Sequence, residues 1–146
     1  MYTTTLPITL VLGGCLVLIN LWLTFRVGQV RRSERVSVGD GGNERVTRRM
    51  RAHLNFAENA PLVLILFGLI EFAASPSVWL WGFAALFLAA RILHAIGMDG
   101  WGPGRPVGTG LTFLIQAALA LWAISIPATG AYSPPVQDVD PVRERR

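Results

Sequence analysis

Lysine is missing from this sequence, so all 13 of its positive side chains are arginine. Charge of either sign is scarce, at 15% of 146 residues, against 52% hydrophobic residues and a mean hydropathy of +0.47. An ordinary soluble domain carries about 25% charged residues, so lipid is the expected solvent for most of this chain. The single cysteine, Cys15, excludes an internal disulfide framework and any CxxC metal site. It falls within an apolar run, where a thiol is not readily ionised and packing is its expected role. The only histidines, His53 and His94, offer no zinc-ligand spacing, and no metal is expected. The opening MYTTTLP lacks a basic n-region, so the apolar run after it reads as a retained helix and not as a signal peptide. The all-arginine bias together with 15 glycines fits a GC-rich bacterial coding sequence, and with it a bacterial inner membrane.

What the sequence does have is four apolar runs, at about 6–25, 54–74, 78–98 and 107–128. Each is close to the roughly 20 residues that a helix needs to cross a hydrocarbon core of about 30 Å. Lipid cannot hydrogen-bond an exposed backbone, and the runs are too long and too evenly apolar for barrel strands. The predicted fold is therefore all-α, an integral membrane bundle of four helices over residues 1–128. Residues 129–146, Pro-rich and charged, read as a disordered polar tail. The four spans and their connectors use nearly all of the length, which places any chemistry among the helices.

Arginine counts in the short connectors set the orientation. Arg26, Arg31, Arg32, Arg35, Arg45, Arg48, Arg49 and Arg51 lie between the first two spans, whereas MYTTTLP and the turn at Ser75, Pro76 and Ser77 hold none. The first connector is expected in the cytoplasm, the third connector with Arg105 on the same side, and both termini outside. The bland account of Arg26, Arg32, Arg35, Arg45 and Arg49 is topology determination and attraction to anionic membrane lipids. The Gly-rich SVGDGGNE at the centre of the connector reads as a flexible loop. No aromatics are interleaved with these arginines, so nucleic acid is not an expected partner.

Polar residues enter the apolar runs at two places. The second span opens RMRAHLNFAENAPLVLIL, and spacings of four and three put Arg51, Asn55 and Glu58 on one helical stripe. The third closes ARILHAIGM, with Arg91, His94 and Met98 at spacings of three and four. Chain alternation brings both clusters to the cytoplasmic leaflet. A carboxylate in hydrocarbon is costly, at least ~2.5 kcal/mol at the span centre, and must face a partner or a wet cavity. One account is a buried network, with Glu58 paired to Arg91 and Asn55 bonded across helices, that only holds the bundle together. The other is a site for an anion carrying one positive group, since cations outnumber the one carboxylate in this layer. Glutathione, with its carboxylates, ammonium and thiol, has that form. Glu71, near the opposite end of the second span, is expected to reach up to the membrane interface, and His53, off the stripe, to serve structure.

RAHLNFAENAPL resembles the second-helix signature of the membrane-associated proteins in eicosanoid and glutathione metabolism, the MAPEG family. That signature runs R, any residue, H or Q, any residue, N, two residues, E, then a tyrosine and P. Asn59 stands at the tyrosine position. The family's third-helix motif is matched by Arg91 and His94, with Met98 in place of a second tyrosine. The resemblance spans roughly residues 6–127. It implies a homotrimer with glutathione sites between subunits, open to the cytoplasm, and a lipophilic second substrate entering from the bilayer. Alanine-rich faces on the third and fourth spans agree with close helix packing in such an assembly. Carried onto this sequence, glutathione binding falls on Arg31, Arg51, Asn55, Glu58, Arg91 and His94, with glutathione as co-substrate. The resemblance further implies that Arg105 is the catalytic arginine that stabilises the thiolate. The expected activity is that of a membrane glutathione transferase or peroxidase on lipophilic electrophiles. Because the relatives' tyrosines help to clamp glutathione, the alternative is a non-catalytic glutathione- or lipid-binding protein that keeps the same bundle.

Overall fold

The computed structural model describes residues 6–130, so the disordered tail expected at 129–146 lies almost wholly outside the described residues. Four helices follow one another, α1 (Pro7–Glu34), α2 (Glu44–Ala74), α3 (Val78–Met98) and α4 (Gly104–Thr129). All four are long and apolar enough to cross a membrane, and the chain is an integral membrane protein. Only 22% to 39% of the most apolar stretch of each helix is buried inside the bundle. Leu18, Leu62, Trp79, Leu114 and Ile124 are among the large side chains left outside it, an arrangement that water would penalise and lipid does not.

The core is a seam of large apolar side chains, with Leu12, Val63, Phe67, Leu80, Phe87 and Leu119 almost wholly enclosed. The most extensive packing is between α3 and α4, followed by α1 against α2, and α1 makes no contact with α4 among the described residues. Small residues set the α3–α4 approach. A Cβ on Gly108 would lie 2.6 Å from the Ala90 carbonyl oxygen, and one on Gly104 would lie 2.7 Å from that of Leu93. Gly104, Gly108 and the buried Thr112, spaced by four, thus form the close-packing face of α4.

Two helices outrun their apolar spans. At 1.5 Å per residue, α1 is roughly 42 Å long and α2 roughly 46 Å, both more than the hydrocarbon thickness. The surplus of both lies at the end that holds connectors 35–43 and 99–103, where it forms a polar hairpin. Its turn is built from local bonds. Arg35 takes a left-handed φ of 56° and closes α1, while the Asn43 side chain caps α2 by accepting from the Arg45 and Val46 N–H groups. Asp40 accepts from the Gly42 N–H and from Thr47, which holds its carboxyl below the usual carboxylate range. Residues 36–43 are therefore a capped connector, shorter than the polar stretch suggests, because Glu44 to His53 already belong to α2.

The opposite end, at the turn of Ser75, Pro76 and Ser77, corrects the expectation for Glu71. That side chain does not reach the interface; it is 1% exposed and turns inward to α1. It accepts from the Ile8 N–H at 2.8 Å, the Thr9 N–H at 2.8 Å and the Thr9 hydroxyl at 2.7 Å. Leu6 provides no side-chain cap for α1, so a carboxylate from α2 satisfies the orphan N–H groups and complements the positive helix end.

Candidate functional site

At the end with the long hairpin, the outer face of α2 meets the C-terminus of α3 and the first turn of α4. Arg51, Leu54, Asn55, Glu58, His94, Met98 and Arg105 line an open cleft of about 340 Å³ there. Helical spacing stacks Arg51, Asn55 and Glu58 along α2. Packing of Gly97 against the start of α4 carries Arg105 up beside Met98 and His94. A second space of about 520 Å³ adjoins the cleft and shares Arg51, Met98 and Arg105 with it, while Thr47, Arg48 and Gly100 lie on its far side. Arg51 and Arg105 thus border both the cleft and an outer vestibule.

The charges of this layer sort into satisfied and unsatisfied groups. Arg45 pairs with Glu34 at 2.5 Å and Arg48 with Glu44 at 2.5 Å. Arg26 and Arg49 both pair with Asp99, and Arg49 also donates to the Arg26 carbonyl at 3.0 Å. Asp99 therefore ties α1 and α2 to the end of α3, and the Arg26 guanidinium sits 4.5 Å from the Trp22 ring centroid. Partial burial pushes the Asp99 carboxyl up, but the hydrogen bonds from Arg49 and Arg26 outweigh it and hold the group below its ordinary value. Arg26 and Arg49 are thus clamps of the bundle, a role for which the connector's arginine count gives no signal. By contrast, the side chains of Arg51, Glu58 and Arg105 have no hydrogen bond or ion pair among the described residues. All three are exposed.

The anticipated pairing of Glu58 with Arg91 is not made. Arg91 is buried behind the cleft and donates to Asn55 Oδ1 at 2.8 Å, to the Gly108 carbonyl at 3.1 Å and to Thr112 Oγ1. It reaches the cleft only through Asn55. Arg31 stands apart, in a separate depression with Met50, His53 and Leu54, where it donates to the Ser37 carbonyl at 3.3 Å. His53 serves structure, with Nε2 2.9 Å from Asn20 Oδ1 on α1. Asn59, at the tyrosine position, donates to the Asn55 carbonyl at 2.7 Å and accepts from Gln116 at 2.8 Å. The α4 members of these bonds, Thr112 and Gln116, escape sequence reasoning, since single uncharged polar residues in a span carry little signal.

Chemically, the cleft offers two guanidiniums and one carboxylate, unpaired among the described residues, around an amide and an imidazole. It suits a zwitterionic, net anionic ligand. No group of metal-binding side chains occurs among the described residues. In comparison with known proteins, the family model described as the MAPEG family matches residues 9–125. No curated protein matches the chain.

Proposed function

The chain belongs to the MAPEG family, and from that premise we propose that it is a membrane-bound, glutathione-dependent transferase or peroxidase acting on lipophilic electrophiles. The observation that carries this reading is the convergence of Arg51, Glu58 and Arg105, all unpaired among the described residues, on one open cleft. Glutathione is the co-substrate: Glu58 receives its ammonium and Arg51 a carboxylate, with Asn55 and His94 completing the contacts and Arg91 adding positive potential from behind. Arg105 is the catalytic residue. A thiol with a reference pKa of about 8.5 is mostly protonated at neutral pH, and each unit of lowering requires ~1.4 kcal/mol of thiolate stabilisation. A guanidinium hydrogen-bonded to sulfur provides such stabilisation.

In the transferase reaction the thiol proton leaves to water through the vestibule. The sulfur then bonds to an electrophilic carbon, and the leaving group departs with its electron pair. With a hydroperoxide, sulfur instead takes the terminal oxygen, the alcohol leaves after protonation, and a second glutathione yields the disulfide and water. The lipophilic partner arrives from the bilayer past Leu54, which is exposed beside the cleft. The working unit is a homotrimer in which Arg31, outside its own chain's cleft, serves the site of a neighbouring subunit. The exposed Ala85, Ala89 and Ala117 provide close-packing surface for that assembly. The arginine-rich hairpin faces the cytoplasm of a bacterial cell, the chain sits in the inner membrane, and both ends of the described bundle lie outside.

The non-catalytic alternative rests on Asn59, which has no phenolic hydroxyl and whose amide is engaged by the Asn55 carbonyl and Gln116. Calorimetric titration of detergent-purified protein with glutathione, followed by turnover of a chromogenic electrophile, separates the readings. We expect binding, turnover, and an ultraviolet thiolate band that Arg105→Ala abolishes. Binding without turnover or thiolate supports the alternative, and no binding at millimolar glutathione refutes the enzyme reading and leaves only the lipid-binding form of the alternative.

A further inference from the structure

The buried guanidinium of Arg91 meets no carboxylate among the described residues. It is 2% exposed, and its partners are the Asn55 amide oxygen, the Gly108 carbonyl, the Thr112 hydroxyl and, at 5.7 Å, the Phe87 ring. All of them are neutral. The Thr112 hydroxyl donates its own proton to the Gly108 carbonyl at 2.8 Å, which leaves its oxygen free to accept from Arg91. Gly108 is held in reach because its lack of a side chain lets α4 press against α3.

These contacts fix the polarity of Asn55. A guanidinium has donors and no acceptor, so the atom of Asn55 that lies 2.8 Å from Arg91 Nη1 is the carbonyl oxygen. The amide nitrogen is turned away from Arg91, on the side chain that lines the cleft. The backbone of Asn55 is held as well, since its carbonyl accepts from Asn59, which is itself held by Gln116.

We infer that Arg91 is a positioning residue: by holding the amide oxygen of Asn55, it makes that side chain a hydrogen-bond donor to the cleft. Asn55 then meets an anionic oxygen of the ligand, and Glu58 alone meets the ammonium. The inference rests on the proposed binding of glutathione and adds the polarity of one contact and the residue that sets it. Without Arg91 the two ends of the amide, nearly equal in size, exchange places, and the oxygen turned outward repels a carboxylate.

Asn55→Asp tests this directly, because it keeps a partner for Arg91, gives the cation the counter-charge it lacks, and replaces the donor by an acceptor. Thermal unfolding without ligand and titration with glutathione and its diethyl ester are measured on one preparation. We expect an unfolding midpoint unchanged or raised and glutathione affinity at least about tenfold weaker, the factor that ~1.4 kcal/mol represents. The loss is expected to be smaller for the ester, whose carboxylates are blocked. A purely structural role of Asn55 and Arg91 would leave glutathione affinity and this selectivity untouched whatever the midpoint does, which overturns the inference. If Asn55→Asp does not fold, Arg91→Met carries the test: glutathione affinity falls while that of the ester holds, and unchanged glutathione affinity overturns the inference. Failure of the unmutated protein to bind glutathione refutes the functional reading itself. Binding by the unmutated protein with retained affinity in a folded variant refutes the inference alone.

Discussion

Glu71 is 1% exposed and accepts three hydrogen bonds from the first turn of α1, whereas Glu58, on the same helix, is exposed and accepts none among the described residues. Both carboxylates lie in a helix that crosses the membrane. Saturation distinguishes their roles. A buried carboxylate whose oxygens are filled by the protein has no capacity left for a ligand, and its removal strands the donors it served. A carboxylate at the edge of hydrocarbon with no partner of its own has capacity left for an incoming cation. The turn end of the bundle is therefore built for integrity, whereas the hairpin end leaves charges open among the described residues, as the proposed binding role requires.

The largest effect is expected from Glu71→Leu. Two backbone N–H groups and the Thr9 hydroxyl lose their acceptor in a buried place, and the start of α1 loses its counter-charge, at a cost of about 3 kcal/mol or more. Thermal unfolding in detergent should register this as a marked drop in midpoint, with glutathione affinity per folded molecule unchanged. Altered affinity with intact stability would reverse the assignment of the two ends.

Glu58→Gln should do the opposite at somewhat smaller scale. It keeps the shape and removes the charge, so calorimetry should show binding weakened by about 1.5–3 kcal/mol, the range for a hydrogen bond to a charged group. Stability without ligand should hold, because no described group depends on Glu58. Lost stability with unchanged affinity would return Glu58 to the structural class.

The smallest effect concerns Asp99, which belongs to the hairpin end yet acts structurally. Its folded-state value lies below the ordinary aspartate value of 3.8, owing to the hydrogen bonds from Arg49 and Arg26 that outweigh partial burial. The stabilisation is therefore complete above that ordinary value and is lost as pH falls through the folded one. Unfolding midpoints taken at decreasing pH should show this loss in the unmutated protein and a flatter profile in Asp99→Asn. Equal slopes would remove Asp99 from the clamp. Arg26 and Arg49 show why its role is hard to read in the sequence: residues that mark topology by their number are, one by one, either exposed charges or clamps, and only the position of Asp99 decides which.

The four helices and the polar layer at one end are legible in the linear chain, because the cost of exposing peptide groups to lipid leaves few alternatives for long apolar runs. The stripe of Arg51, Asn55 and Glu58 is legible for a similar reason, since helical periodicity is local and fixes which side chains share a face. Partnership is not local. Glu71 and Thr9 are 62 residues apart, and nothing in either neighbourhood announces that one caps the other. The same holds for Arg91, whose partners were decided by how closely Gly108 lets α4 approach α3, and for Arg105, carried into the cleft by the packing of Gly97 against the start of α4. By itself, then, the sequence determined that this is a four-helix membrane protein with a costly polar cluster near one face, because those features follow from solvent and periodicity. Only the tertiary structure decided which of its charges are satisfied and which stand open, because that depends on distances between helices that no single helix contains.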